Sequence, residues 1–152
     1  MAPLVVMTVA WIVVRTIGFA NSSRPADSLT GALRLALAAM FLFTAASHFH
    51  PRTRRDLIRM VPTSLPLPSL LVTLTGSFEL TGAIGLLVPS TAAAASYGLI
   101  ALLVAMFPAN VHAAREGLVI AGRRASPLMW RLPLQLFWIL TLWRVARAGA
   151  GA

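Results

Sequence analysis

The sequence predicts an all-α integral membrane protein: a four-helix transmembrane bundle with an additional N-terminal transmembrane helix, giving five spans. Composition is the first reason, because 58% of the 152 residues are hydrophobic and only 11% are charged. The mean hydropathy of +0.80 exceeds what a soluble domain of this size can bury in one core. The second reason is arrangement, since the apolar residues form long runs separated by arginines and prolines. We therefore expect a single membrane domain over residues 1–152.

Five apolar runs match the length of a membrane span, which needs about 20 residues. They cover residues 4–20, 29–49, 70–88, 91–112 and 128–147. The segments between them predict turns and loops, and they read NSSRPADS, VPTSLPLP, VPST and REGLVIAGRRASP. Residues 1–28 are expected to form the additional helix with its linker, and residues 29–147 the four-helix bundle.

The first run carries Arg15 and begins where a secretory signal peptide would also begin. A signal peptide starts with a positively charged region, and MAPLVV contains no basic residue. We therefore expect a retained helix rather than a cleaved signal. Arg15 would then extend along its own stem toward the nearby membrane surface.

The charge is strongly positive, and its distribution suits a membrane surface. All 13 basic residues are arginines, and the net charge is +9. Nucleic-acid-binding proteins have similar charges, but this chain has no polar domain that would present a basic face. With five spans, eight arginines fall on one side and five on the other. Excess arginine marks the cytoplasm, so the N-terminus is predicted to be cytoplasmic.

The segment RTRRDLIRM, on the arginine-rich side, combines four arginines with Leu57, Ile58 and Met60. Such a mixture is typical of a helix that lies in the plane of the lipid headgroups. We therefore predict a short interfacial helix between the second and third spans.

Glu79 lies near the middle of the third run, within FELTG. A carboxylate without a partner in hydrocarbon costs several kcal/mol, so it takes up a proton or finds a partner. The helix rise puts Arg34 about 8 Å beyond Glu79 in depth, a gap that an extended arginine closes if the two helices touch. Gln135 and Tyr97 lie at neighbouring levels. Two interpretations stay open: a buried pair that fixes helix packing, and a proton carrier or ligand contact.

Small residues accompany Glu79 along the third run. They are Gly76, Ser77, Thr81, Gly82 and Gly85. Small side chains let membrane helices approach each other closely. The third helix is therefore expected to pack tightly against its neighbours.

A second polar group falls at the predicted cytoplasmic ends of the helices: His48, Asn110, His112 and Arg131. Together they would line a small pocket, or each would bond loop backbone and headgroups; both interpretations stay open. His48 and His50 do not share a helix face, and no carboxylate nearby completes a ligand set, so no metal site is expected. The absence of cysteine excludes disulfides, thiolate metal sites and covalently attached haem.

Four segments resemble the DoxX family of small bacterial membrane proteins, across residues 31–143. They are LRLALAAMFLFTAASHFHP, MVPTSLPLPSLLVTLTGSFELTGAIGLLVP, LLVAMFPANVHAA and PLMWRLPLQLFWIL. A glycine that the family often has before His-Phe is replaced here by alanines 45 and 46. The resemblance implies a four-helix bundle in the bacterial inner membrane, associated with quinone-linked oxidoreductases. Its motif positions hold His48, Glu79, Pro108, Asn110 and Gln135.

We therefore hypothesise that the chain is an accessory or scaffold subunit of a quinone-linked oxidoreductase. The chain itself is expected to have no redox centre and not to be an enzyme on its own. The candidate ligand-contacting residues are Glu79, Arg34, His48, Asn110, His112, Gln135 and Tyr97. A quinone is the ligand that the resemblance implies, and no resident cofactor is expected. The expected partners are the lipid bilayer, oxidoreductase subunits and further copies of the chain, but no nucleic acid.

Two alternative functions stay open. One is a transporter of a proton or small solute that uses Glu79 as its titrating group. Five short spans without an inverted repeat would support this function only in an oligomer. The other is an assembly factor for another membrane protein, which makes no special demand on Glu79.

Overall fold

The computed structural model describes residues 2–19, 29–120 and 122–150, which are mostly helical. Its helices are α1 (Ala2–Phe19), α2 (Leu29–Phe49), α3 (Pro51–Met60), α4 (Pro68–Leu87), α5 (Ala92–Ala105), α6 (Phe107–Arg115) and α7 (Leu128–Ala150). A 3₁₀ turn (Pro89–Thr91) joins α4 to α5, and a short antiparallel hairpin of β1 (Val119–Ile120) and β2 (Arg123–Arg124) precedes α7. The predicted all-α fold is confirmed. The predicted turn NSSRPADS lies outside the described residues.

Four helices form the bundle. α2 packs on α4, α4 on α5 and α5 on α7, and α7 returns to α2. α1 packs against α2 from outside this ring and contributes Met7 to the core. The centre of the bundle is filled by fully buried side chains, the largest of which are Phe41, Leu37, Leu86, Leu99 and Leu142.

The surface of the bundle is apolar, whereas several polar groups are inside. Leu140, Phe78 and Ile84 are 67%, 59% and 53% exposed. His48 and Glu79, in contrast, are 8% and 4% exposed. A soluble protein shows the opposite distribution, so this surface suits a lipid solvent.

Three helical segments of the described chain are long and apolar enough to cross a membrane. They are Leu29–Phe49, Pro68–Leu87 and Pro89–Arg115. The apolar part of α1, Val5–Val14, is shorter than a span. α7 has 23 residues, but Gln135, Arg144 and Arg147 lower its hydropathy. The chain thus has the helices of a membrane protein, and the number of five spans stays a prediction.

The fourth apolar run does not form one continuous helix, because it is divided between α5 and α6. Pro108 lacks an N–H group, so the carbonyl of Val104 loses its helical partner. A hydrogen bond from α7 stabilises the end of α5 next to the break. Gln135 Nε2 donates to the carbonyl of Leu103 at 2.9 Å. The interrupted helix is thereby tied to α7.

The short helix predicted from RTRRDLIRM is confirmed as α3. Met60 is buried, whereas Arg52, Arg55 and Arg59 are exposed. Thr53 Oγ1 donates to the carbonyl of Ser47 at 2.6 Å, which fixes the first turn of α3 against the end of α2.

Leu67 has an unusual backbone conformation at the entrance to α4. Its φ of 51° and ψ of 54° lie in the left-handed region, directly before Pro68 starts the helix. This region costs a residue with a Cβ about 1–2 kcal/mol. The side chain of Leu67 is 65% exposed, so it gains little from packing within the bundle.

Replacing Leu67 separates the backbone cost from the side-chain contribution. Leu67→Gly removes both the side chain and the strain, whereas Leu67→Ala removes the side chain and keeps the strain. We expect the glycine variant to be more stable than the alanine variant by about 1 kcal/mol. Thermal unfolding in mild detergent measures the difference, and equal melting of the two variants would contradict the strained conformation.

Candidate functional site

α2 and α4 approach each other very closely where Gly76 faces His48. A Cβ atom on Gly76 would lie 2.5 Å from the Cβ of His48 and 3.0 Å from its Cγ. This gap excludes every side chain, so only glycine allows the two backbones to come this near. The imidazole of His48 is consequently held against α4, about one helical turn before Glu79.

His48 and Glu79 form the polar centre of this interface. Nδ1 of His48 lies 3.6 Å from Oε2 of Glu79, and the two side chains are 10% and 5% exposed. This distance is that of an ion pair and is longer than a hydrogen bond. Within the described structure, Oε2 is buried and has no hydrogen-bond partner. The imidazole is therefore the group that can compensate a negative charge on Glu79.

The carbonyl of Thr44 determines which nitrogen of His48 carries hydrogen. Nδ1 lies 3.1 Å from this carbonyl oxygen, which can only accept a hydrogen bond. Nδ1 is therefore assigned the hydrogen, which it donates to Thr44. The remaining nitrogen, Nε2, is then the atom that gains or loses a proton.

The pair has two neutral arrangements. In one, imidazolium faces carboxylate; in the other, neutral imidazole faces a protonated acid. Both have no net charge, and burying net charge is what the hydrocarbon environment penalises most. The arrangement can therefore hold one proton in either of two places without leaving an uncompensated charge.

Arg54 of α3 connects the helices that carry the pair. It donates to the carbonyl of His48 at 3.1 Å, which satisfies part of the C-terminus of α2. It also donates to the carbonyl and hydroxyl of Ser69 at 3.1 and 3.0 Å and to Thr73 Oγ1 at 2.9 Å. One guanidinium thus joins the end of α2 to the first turns of α4.

Asn110 and Gln135, two other predicted site residues, form hydrogen bonds between elements of the bundle. Arg131 donates from Nη1 to Asn110 Oδ1 at 2.8 Å and from Nε to the carbonyl of Ser126 at 2.9 Å. Gln135 makes the bond to the α5 carbonyl described above. Asn110 and Gln135 therefore tie α7 to α6 and α5, respectively.

The remaining candidates lie apart from the pair. Tyr97 is 45% exposed and meets Trp143 edge to face, with ring centroids 6.0 Å apart. Arg34 makes no ion pair with Glu79, and its Nε is buried without a hydrogen-bond partner in the described chain. His112 is half-buried on α6. Among the described residues, no group of three His, Asp or Glu side chains could hold a metal ion.

Thr44 and Arg54 were not among the site residues predicted from the sequence. Thr44 also lies beside the Glu79 carboxylate, and its hydroxyl donates to the carbonyl of Phe41 at 3.1 Å. Its spacing of four residues before His48 places both on one face of α2, a signal that could have found it. Arg54 had no such signal, because it is one of four arginines in a short segment.

A separate groove of ≈ 830 Å³ lies between α4 and α5. Its lining is almost wholly apolar and includes Phe78, Gly82, Gly85, Gly98 and Leu102. Neither His48 nor Glu79 lines it. The polar pair and the apolar groove are therefore distinct features of α4.

The close contact at Gly76 predicts a sharp difference between two glycines. Gly76→Ala would push a methyl group into His48, whereas a Cβ on Gly98 would meet nothing within 4 Å. We expect Gly76→Ala to destabilise the bundle by about 1–3 kcal/mol and Gly98→Ala to leave it unchanged or slightly more stable. Thermal unfolding in mild detergent tests this, and similar melting of both variants would contradict the close approach.

No curated protein and no solved structure shows significant similarity to the chain. A family profile matches residues 37–146. The matched region runs from the middle of α2 to the last turns of α7, so it includes His48, Glu79 and the bundle around them. The chain belongs to the family described as Domain of unknown function (DUF8561).

Proposed function

We propose that the chain is a DoxX-like accessory subunit of a quinone-linked oxidoreductase in the bacterial inner membrane, with the His48–Glu79 pair as its proton-binding site. The observation that carries the proposal is this buried pair, 3.6 Å apart at the contact of α2 and α4. Intramembrane ionisable residues generally mark functional positions. A pair that holds one proton in two places suits a subunit next to a proton-coupled reaction.

Quinone chemistry makes such a pair useful. Reduction of a quinone to a quinol takes up protons together with electrons, and oxidation releases them. His48 lies near the end of α2, close to the arginine-rich surface that the positive-inside rule assigns to the cytoplasm. The pair is thus well placed to exchange a proton with that side, while a partner subunit supplies the redox centre.

The contacts of the other polar residues support a scaffold more than a solute-binding cavity. Arg131, Asn110 and Gln135 are engaged in bonds between elements of the bundle. Arg54 likewise donates hydrogen bonds to residues of α2 and α4. These side chains stiffen the bundle, and a rigid bundle with an apolar outer surface suits docking to another membrane protein.

Purification from the native membrane tests the proposal. We expect a membrane protein that carries flavin, haem or iron–sulfur groups to copurify with the tagged chain in lipid nanodiscs. We also expect quinone in the extract. Deletion of the gene should lower quinone-dependent electron transfer. Glu79→Gln should retain the partner but lower the rate by about tenfold or more, because the proton site is lost.

Glu116→Gln is the matched control, since Glu116 is an exposed acid beyond α6. This variant should behave like the wild type in both recovery and rate. Unchanged electron transfer in the deletion strain, with no redox protein recovered, would refute the proposed function. Loss of the partner with Glu79→Gln would instead show that the pair supports the helix packing on which docking depends.

A proton transporter is the second candidate, favoured by the Glu79 oxygen that lacks a hydrogen bond. Beyond Glu79, however, the buried residues of α4 are Ala83 and Leu86, which offer no group to relay a proton. We therefore expect reconstituted liposomes to show the same proton flux for wild type, Glu79→Gln and no protein. A flux that is higher for wild type than for Glu79→Gln would favour the transporter instead.

A further inference from the structure

We propose that one end of the bundle binds the headgroups of anionic lipids. The arginine surface that would do so consists of Arg52, Arg55 and Arg59 on α3, Arg115 at the end of α6 and Arg124 on β2. All five are exposed. This proposal is independent of the His48–Glu79 pair and of any partner subunit.

α3 presents three arginines together. Arg52, Arg55 and Arg59 follow one another at spacings of three and four residues, which places them along one face of the helix. All three are exposed, whereas Met60, elsewhere on the surface of the same helix, is only 8% exposed. A row of guanidinium groups is suited to phosphate, because each can donate two parallel hydrogen bonds to it.

The rest of the structure holds this row in place. Thr53 bonds to α2, and Arg54 bonds to both α2 and α4. α3 also packs on α6 and on β1, so Arg115 and Arg124 belong to the same end of the bundle. Because these elements are fixed before binding, less conformational entropy is lost when a headgroup binds.

The net charge of this end is positive. Among the residues that the structure describes, the acids of this end are Asp56 and Glu116, and the five exposed arginines outnumber them. Arg54 and Arg131 are engaged in bonds to other elements and are not counted in the surface. A headgroup with a net negative charge is therefore favoured over a zwitterionic one.

Exposed apolar residues at the same end favour a bilayer over a soluble acidic protein as the partner of the arginine surface. Leu65 and Leu67, in the loop before α4, are 44% and 65% exposed. Met129 and Trp130, in the first turn of α7, are 70% and 57% exposed. Such side chains would be unfavourable in water, whereas tryptophan is common at the membrane interface. Arginines beside apolar tips fit the boundary between headgroups and acyl chains.

Native mass spectrometry with defined lipids tests this inference on the full chain in mild detergent. The probes are phosphatidylglycerol and phosphatidylcholine with identical acyl chains. We expect the wild type to bind phosphatidylglycerol about tenfold more tightly, and the triple variant Arg52→Gln, Arg55→Gln, Arg59→Gln to lose this preference. The matched control, Arg144→Gln with Arg147→Gln, removes two exposed arginines from the other end of the bundle and should keep it.

Equal affinity for the two lipids in the wild type would overturn the proposal. So would an equal loss in the control variant, because it would show that total charge rather than this surface decides binding. If wild type and triple variant bind lipid alike, and only the wild type retains a soluble acidic protein, the occupant is a protein and the proposal fails. Arg55→Gln alone, checked by thermal unfolding, covers the case in which the triple variant does not fold.

Discussion

The close approach of α2 and α4 at Gly76 is the contact on which the arrangement of the protein depends. Lipid chains are as apolar as the helix surfaces, so the hydrophobic effect does little to bring membrane helices together. Close atomic contacts and polar bonds have to hold the helices together instead. Here Gly76 allows the contact with His48, and Arg54 secures both helices near their ends. The buried pair exists because this interface leaves room for an imidazole beside a carboxylate.

The same interface explains how a chain so rich in arginine keeps a carboxylate in its interior. The ionisable neighbour of Glu79 is a histidine, which can be neutral or charged, rather than a permanent cation. A guanidinium at this position would hold the carboxylate ionised, whereas an imidazole lets the pair remain neutral in two ways. The proposed proton-binding role depends on that difference between arginine and histidine.

Apolar runs and small residues were enough to predict the helices, the buried acid and the tight packing of the third span. The partner of Glu79 could not be predicted from helix rise, because depth along a helix says nothing about rotation around its axis. The contact between Gly76 and the end of α2, where His48 lies, depends in the same way on how the two helices are rotated and shifted against each other. Pro108, which breaks the fourth run, was visible in the sequence. The hydrogen bond that Gln135 donates to the carbonyl of Leu103 was not, because it depends on how α7 packs.

The short connection between α4 and α5 has a consequence for the order of assembly during synthesis. Thr91 Oγ1 donates to the carbonyl of Gly85 at 2.8 Å, and a Cβ on Gly85 would lie 2.8 Å from the Cβ of Ala95. These contacts are local in sequence, so a helical hairpin of α4 and α5 can form while the ribosome is still translating the end of the chain. The contact of α7 with α2, which closes the ring, requires the C-terminal helix and so comes last. Until then, the seam between α2 and α5 is open to lipid.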